Sequence, residues 1–477
     1  MCTRRQKKAL TSERGLSPFF NLSFKCDFTT YRPTGVMHKF HVAATASLAA
    51  ASSAAPTVGS VLPRAIYVHL PFCRRRCFYC DFPIVAVGDR PGAADAAAER
   101  YCALLDRELA HSPDARPLTS VYFGGGTPSL TPPRLLHKLL RQLDEKHGLT
   151  QGCEVTLEMD PGTFDRTALD AFVAAGVTRV SLGVQSFDDA LLEACGRVHR
   201  VHDAHGALEL LLGHAQPLSV SLDLIGGLPH QTLETWQRSL DAAARSGAHH
   251  VSVYDLQIEP RTAFGRWFAP GSAPLPTEEV AADMVRAASA TLGAAGFERY
   301  EVSNYAQAHH RSQHNSAYWR NEPFLALGMG ATSHVGGVRL ARPRKMKEYE
   351  TWVDELERGG WEARTQAALA SGDAVYEEGR DALTTALMLQ LRTREGVDLE
   401  ELRARFGAEL GAAAAAACAD AAAELPSAWT RLEPGRALAL QDPEGFLFSN
   451  DAIATVFARL DEHSPTSKEE EDVDLPS

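Results

Sequence analysis

Three cysteines carry the strongest chemical signal in the chain. They stand as Cys73-Arg-Arg-Arg-Cys77-Phe-Tyr-Cys80, so one short loop presents three thiolates. The other six (Cys2, Cys26, Cys102, Cys153, Cys195 and Cys418) are scattered. That distribution is not a secreted disulfide framework; the cluster of three points to metal chemistry in a reducing compartment. Three thiolates suit a four-iron, four-sulfur cubane with one iron left unclaimed by protein. Spacing alone keeps zinc in play, although zinc wants a fourth ligand nearby and usually two paired arms. An open iron can be chelated by the amine and carboxylate of S-adenosylmethionine. An electron from the cluster would then break the sulfonium bond to C5′ and release a 5′-deoxyadenosyl radical.

A second set of residues falls where strand-like runs end. Phe123-Gly-Gly-Gly-Thr-Pro-Ser129 contains Gly125, Gly126 and Thr127; Leu157-Glu-Met-Asp-Pro-Gly162 contains Glu158; Ser181-Leu-Gly-Val-Gln-Ser-Phe-Asp188 contains Gln185; Arg197 follows, and Asp223 opens Asp223-Leu-Ile-Gly-Gly-Leu-Pro-His-Gln-Thr232. Successive glycines would let backbone N–H groups approach a ligand closely. Taken singly, each has a plainer explanation: a flexible turn, a strand-end carboxylate, a surface ion pair. Their order along the chain is what joins them.

The elements that must position these groups alternate. Ile66–Leu70, Thr119–Phe123, Glu154–Leu157, Arg179–Gly183, Ser219–Leu224 and His250–Leu256 read as strands. Ala94–Ala110, Pro132–Lys146, Asp165–Ala174 and Leu233–Ser246 between them read as helices. Six strand–helix repeats predict an α/β fold with a parallel sheet, doubly wound or a partial barrel, whose ligands lie at the carboxyl ends of the strands. After Pro260 the rhythm breaks into Pro/Gly-rich stretches and polar loops, read as a barrel edge and connector. A second, helical unit starts near Glu377, includes an Ala-rich helix at Leu402–Leu425 and a hairpin at Leu438–Phe448, and ends in a helix at Asn450–His463.

Composition narrows the function. The first 64 residues hold nine Lys and Arg against Glu13 and Asp27, an excess of seven positive charges. The overall charge of −12 therefore leaves about −19 on the remainder, which disfavours a nucleic-acid partner. An acid-poor, Arg/Ser/Ala-rich start reads as an organelle presequence over residues 1–60, with an internal start at Met37, or the apolar run after it as part of a secretory-type signal, as variants and a merely disordered extension as the alternative. The destination is then a mitochondrial or plastid matrix, or the cytoplasm if this stretch is not a presequence. No segment approaches the roughly 20 apolar residues of a membrane span, so an integral membrane protein is not expected. The acidic tail, residues 464–477, should stay solvated.

The cysteine loop in its setting, Tyr67-Val-His-Leu-Pro-Phe-Cys73 through Phe78-Tyr-Cys80-Asp-Phe82, resembles the HemN/HemW branch of the radical S-adenosylmethionine family. The strand-end motifs above and Tyr300-Glu-Val-Ser-Asn-Tyr305 extend the resemblance from about residue 65 to 340, and more weakly to 462. The resemblance implies a partial (β/α)6 barrel (about residues 61–305), a connector (306–375) and a smaller C-terminal helical, winged-helix-like domain (376–463). It implies a [4Fe-4S] cluster on Cys73, Cys77 and Cys80. It places Tyr67 and Tyr79 beside the cluster loop, Gly125, Gly126 and Thr127 at the methionine end, and Glu158, Gln185, Arg197 and Asp223 against S-adenosylmethionine.

The oxidase branch is similar to C-x3-C-x2-C-x-C with an extra N-terminal segment. Here Asp81 and Phe82 follow Cys80, and the presequence-like stretch occupies the segment's place. The chain therefore resembles the HemW, haem-chaperone branch, whose members are thought to pass haem to an acceptor protein. An electron donor such as a ferredoxin or flavodoxin is implied as well. The matching haem motif, H-N-x-x-Y, is His314-Asn-Ser-Ala-Tyr318 followed by Trp319, with His314 as the expected axial ligand; His334, in Gly328-Met-Gly-Ala-Thr-Ser-His334, is a second candidate for haem or cofactor contact. Many relatives carry Cys-Arg before that His, where this chain has Ser312 and Gln313. An oxidase acting on a porphyrinogen side chain is the alternative function.

Overall fold

The computed structural model describes residues 62–463, apart from 91, 93 and 433–436. The presequence and the acidic tail expected from the sequence lie outside the described residues. Six parallel strands form the centre: β1 (Ala65–Leu70), β2 (Leu118–Gly125), β3 (Leu149–Met159), β4 (Arg179–Gln185), β5 (Ser219–Gly226) and β6 (His250–Asp255), each paired with the next.

These strands alternate strictly. Val121, Phe123, Val155, Leu157, Val180, Leu182, Val220, Leu222 and Val251 belong to the main apolar core. Ser120, Tyr122, Glu154, Thr156, Glu158, Arg179, Ser181, Ser221, Asp223 and His250 occupy the intervening positions. Because a strand's side chains alternate with period two, one face of the sheet packs on the crossover helices and the other encloses a polar lumen. The helices begin where sequence chemistry allows: Asp165 accepts from Ala168 N, Asp188 from Ala190 N and Leu191 N, and Thr232 from Thr235 N. Two helices, Asp189–Ala194 and Val201–Leu212, were not among those read from the sequence.

The expected connector proves to be part of the sheet. Beyond β6, β7 (Glu298–Arg299) and β8 (Asn304–Ala306) extend one edge; beyond β1, β9 (Phe324–Leu327), β10 (Thr332–Val335), β11 (Val338–Ala341) and β12 (Ala374–Tyr376) extend the other. β9 is parallel to β1. The chain between β8 and β9 must therefore pass from one side of the open barrel to the other. It does so as the short helix Gln313–Trp319, which contacts β2. The C-terminal unit has a separate apolar core built on Leu387, Ala414, Ala417, Cys418 and Val456. Its Ala-rich helix is Leu399–Glu424. The expected hairpin at Leu438–Phe448 is displaced: Thr430–Arg431 pairs with Ala439–Leu440, and Glu444–Leu447 is a short helix.

Candidate cofactor site

The cysteine loop leaves the carboxyl end of β1 and is fastened by its own arginines. Arg74 donates to Gly162 O (3.0 Å), Arg75 to Gly196 O (3.1 Å) and Arg197 O (2.6 Å), and Arg76 to Cys80 O (3.0 Å) and Phe82 O (2.9 Å). Phe78 N donates to Cys195 O, and Phe78 O accepts from Phe264 N, both at 3.0 Å. Asp81 pairs with Arg261 (2.9 Å) and Arg344 (3.2 Å). Of the three neighbouring arginines between two thiols, Arg74 and Arg75 thus anchor the loop to carbonyl oxygens of two other segments, and Arg76 ties the loop to itself. The sequence reading assigned them no role.

None of the three thiols is in a disulfide, and all three are half-buried. Thr127 Oγ1 donates to Cys73 Sγ at 3.4 Å, and Arg197 Nη1 to Cys77 Sγ at 3.6 Å. Donors aimed at sulfur suit thiolates that carry negative charge in a cluster. Burial pushes the Cys73 thiol up to about 12, against the Thr127 hydrogen bond, so the proton must leave as metal binds. Among the described residues no three His, Cys, Asp or Glu side chains converge to chelate one ion. A cubane does not need that, since each thiolate takes a different iron. The donor set fits the cluster.

The strand-end residues gather around the loop. Arg197, buried, donates to Asp160 Oδ1 (2.8 Å), Gly183 O (2.8 Å) and Tyr79 OH (3.4 Å). His199 Nδ1 lies 2.9 Å from the same Asp160 oxygen. Burial works to raise the Asp160 carboxyl, but Arg197 and His199 outweigh it and hold it below the usual carboxylate range. Asp160 and His199 were missed as individuals, although both lie in or next to motifs already singled out. Gln185 ends β4 at φ +67°, and its amide folds over Gly183, where a Cβ would stand 2.9 Å from Nε2. Asp223 accepts from Ser181 Oγ at 3.0 Å. Tyr67 OH meets His69 Nδ1 at 3.1 Å, and His69 Nε2 meets Pro83 O at 2.9 Å, so the proton sits on Nε2 and Tyr67 donates.

The glycine run works differently from its sequence reading. Gly125 N donates to Glu158 Oε2 (3.0 Å), Gly126 N to Leu70 O (2.9 Å) and Thr127 N to Phe72 O (2.7 Å). These amides are spent on protein acceptors rather than left for a ligand. A Cβ on Gly125, at φ +115°, would strike the His69 ring at 2.5 Å, and one on Gly126 would strike the Pro71 carbonyl at 2.6 Å. The glycines let β2 close against the root of the cysteine loop. Tyr122 OH donates to the other Glu158 oxygen at 2.9 Å.

His314 is placed at the opposite end of the lumen from the thiols. Ser312 caps its helix through Asn315 N, and Glu154 accepts from Gln313 N and His314 N, both at 3.1 Å. The imidazole is 1% exposed, with Ser120 Oγ at 2.9 Å from Nδ1 and Tyr318 OH at 2.7 Å from Nε2. Tyr122 leans on it at 5.2 Å. Burial lowers its pKa to about 3. Both nitrogens are used, so in this conformation His314 offers no lone pair to an iron. Haem ligation was expected from the motif; the structure gives the motif a place in the barrel floor. The adjacent Arg179–Ser219–His310 cluster and the stacked His249 and His310 rings close the same end. His334 is buried in β10, opposite Phe324 and Arg339; burial, with Arg339 adding, lowers it to about 3. Between mouth and floor, Tyr254, Glu301, Asn304, Asn315 and Tyr318 line a small cavity, and burial pushes the Glu301 carboxyl up to about 7.

Residues 67–243 match the Radical SAM superfamily and residues 378–424 the HemN C-terminal domain. A heme chaperone HemW of Synechocystis sp. is 39% identical over 84% of this chain and 98% of its own length. The chain belongs to the HemW family. The HemW of Bacillus subtilis is 32% identical over 73% of this chain and 88% of its own. A mitochondrial radical S-adenosyl methionine domain-containing protein 1 of Bos taurus is 36% identical over 70% of this chain and 74% of its own. The coproporphyrinogen III oxidase HemN of Escherichia coli, only 20% identical, shares the fold with a TM-score of 0.69 over 84% of this chain and 91% of that one. A radical SAM domain implies a [4Fe-4S] cluster and S-adenosylmethionine, and this HemW-family chain has the open α/β barrel sheet with a helical C-terminal unit. Among the described residues no helix is long and apolar enough to cross a membrane.

Proposed function

We propose that this chain is a haem chaperone, which binds haem and hands it to an acceptor protein. The near end-to-end match to a relative named heme chaperone carries the reading. Phe82 standing where the oxidase pattern has a fourth cysteine, beside an Asp81 occupied by Arg261 and Arg344, supports it. Cys73, Cys77 and Cys80 would hold the cluster. Tyr67, Tyr79, Gly125, Gly126, Thr127, Glu158, Gln185, Arg197 and Asp223 would surround S-adenosylmethionine, which supplies the open iron with an amine and a carboxylate. The chain's own part there is to orient: Tyr122 and Gly125 N fix both oxygens of Glu158, and Arg197 bridges Asp160, Tyr79 and Cys77.

His314 becomes a haem ligand in this reading only after the helix Gln313–Trp319 leaves the lumen. An electron donor such as a ferredoxin or flavodoxin would serve the cluster. The presequence-like start and the mitochondrial relatives support an organelle matrix, the cytoplasm being the destination if that start is retained. The test is a ferric haem titration of anaerobically reconstituted protein, run beside incubation with coproporphyrinogen III and S-adenosylmethionine. Uptake of haem without formation of protoporphyrinogen IX is the expected result; turnover without uptake would replace the chaperone by the oxidase.

A further inference from the structure

Only one aromatic stands among the exposed large apolar side chains of the described residues: Trp267, 54% exposed. It ends the five-residue helix Ala263–Trp267, which follows β6 at the cluster end of the barrel. The helix is fixed rather than loose. Thr262 caps it through Gly265 N, and Phe264, fully buried, donates from its backbone to Phe78 O at 3.0 Å. Trp267 meets the Phe78 ring edge-on at 5.0 Å, and Phe264 and Phe268 at 6.2 Å each. Phe78 in turn lies on Gly196, which precedes by two residues Val198, itself 40% exposed. A supported indole with its neighbours already packed is a preorganised apolar surface, and leaving it in water is unfavourable unless something covers it.

The charge around this surface is the opposite of the chain's. Arg75 is exposed and holds Gly196 O and Arg197 O; Arg76 is exposed and holds Cys80 O and Phe82 O; Arg266 is exposed beside Trp267. No carboxylate pairs with any of the three among the described residues, whereas Arg107, Arg261, Arg286, Arg311 and Arg459 each have one. On a protein of net charge −12, this is a local basic rim around an apolar centre.

We propose that Trp267, Phe78 and Val198, rimmed by Arg75, Arg76 and Arg266, form an external docking platform for a flat tetrapyrrole with two carboxylates, which is where haem first meets the protein. The inference rests on the haem-chaperone reading and adds a place to it. It also removes a difficulty, because His314 is closed off in the same conformation. The macrocycle lies against the indole, while its propionates face guanidinium groups that carry no carboxylate partner among the described residues. No axial histidine is required at this stage.

The experiment is titration of full-length, cluster-reconstituted protein with ferric haem, followed by quenching of tryptophan emission and by the Soret band. Trp267→Ala should weaken binding about tenfold, equivalent to about 1.4 kcal/mol, and Trp267→Phe should restore most of it. Arg266→Glu should weaken binding most at low salt and less as salt screens the rim. The iron–sulfur absorption recorded before haem is added, from a cluster that neither residue ligates, serves as the control for folding. If wild-type protein takes up no haem, the chaperone reading fails. If it takes up haem and Trp267→Ala and Arg266→Glu bind as tightly as wild type, the platform alone is overturned.

Discussion

Replacing His314 separates the two roles its motif suggests. In the closed conformation the imidazole satisfies Ser120 Oγ and Tyr318 OH inside the barrel. His314→Ala leaves both hydroxyls without that partner, at roughly 1–3 kcal/mol each, and opens a void costing about 1–2 kcal/mol more. The expected loss is about 3–8 kcal/mol of stability in protein that has never seen haem, read as a lower unfolding midpoint.

The pH dependence gives a second reading of the same residue. Folding holds His314 neutral down to about pH 3, while the unfolded chain protonates it from about pH 6.5 downward. The unfolded state therefore binds more protons in that window, and the stability from a neutral His314 is present above about 6.5 and lost as pH falls toward 3. His147, lowered to about 4, and His334, lowered to about 3, act in the same direction, each chiefly through burial. His314→Gln, without a titrating ring, should lose less stability than wild type between pH 7 and 5. A His314→Ala protein that unfolds with wild type, and follows the same pH curve, would refute the buried placement.

Other outcomes follow from the mouth of the barrel. Cys73→Ala, Cys77→Ala or Cys80→Ala should each abolish the charge-transfer absorption of reconstituted protein, and Cys102→Ala or Cys418→Ala should keep it; stoichiometric zinc without iron would contradict the cluster assignment. Gly126→Val should lose the cluster as well as the cofactor response, because its Cβ meets the Pro71 backbone at the root of the loop; cluster retention with a lost response would place Gly126 against the ligand instead. Tyr122→Phe removes one hydrogen bond that orients Glu158 and should weaken S-adenosylmethionine binding about fivefold to tenfold with cluster content unchanged, measured by the cofactor's effect on the reduced cluster's paramagnetic spectrum.

The central strands and most crossover helices were legible because parallel strands buried on the helix side read as β-branched runs and the helices between them are amphipathic. The cysteine triplet was legible from spacing. The polar partner of each strand was also written in the sequence, in the alternation of Ser120, Tyr122, Glu154, Thr156, Glu158, Arg179 and Ser181 with apolar neighbours. A strand reading that looks only for apolar runs passes over it. The roles of Asp160 and His199 depend on segments 37 and 39 residues apart, and those of Arg74 and Arg75 on segments 88 and 121 residues apart, which local pattern does not encode. The sheet extension was missed for the same reason: β9 pairs with β1, some 260 residues earlier. His314 shows the limit of a motif, since H-N-x-x-Y at i, i+4 spacing supports an internal His–Tyr hydrogen bond as readily as an axial ligand.

The most direct test of the chaperone assignment is transfer itself. Protein loaded with haem under anaerobic conditions, freed of excess haem and mixed with an apo haem protein, should lose its Soret band as the acceptor's own band appears, in proportion to the haem delivered. Haem that stays bound through the mixing, or reaches the acceptor no faster than haem released into buffer, would contradict the account.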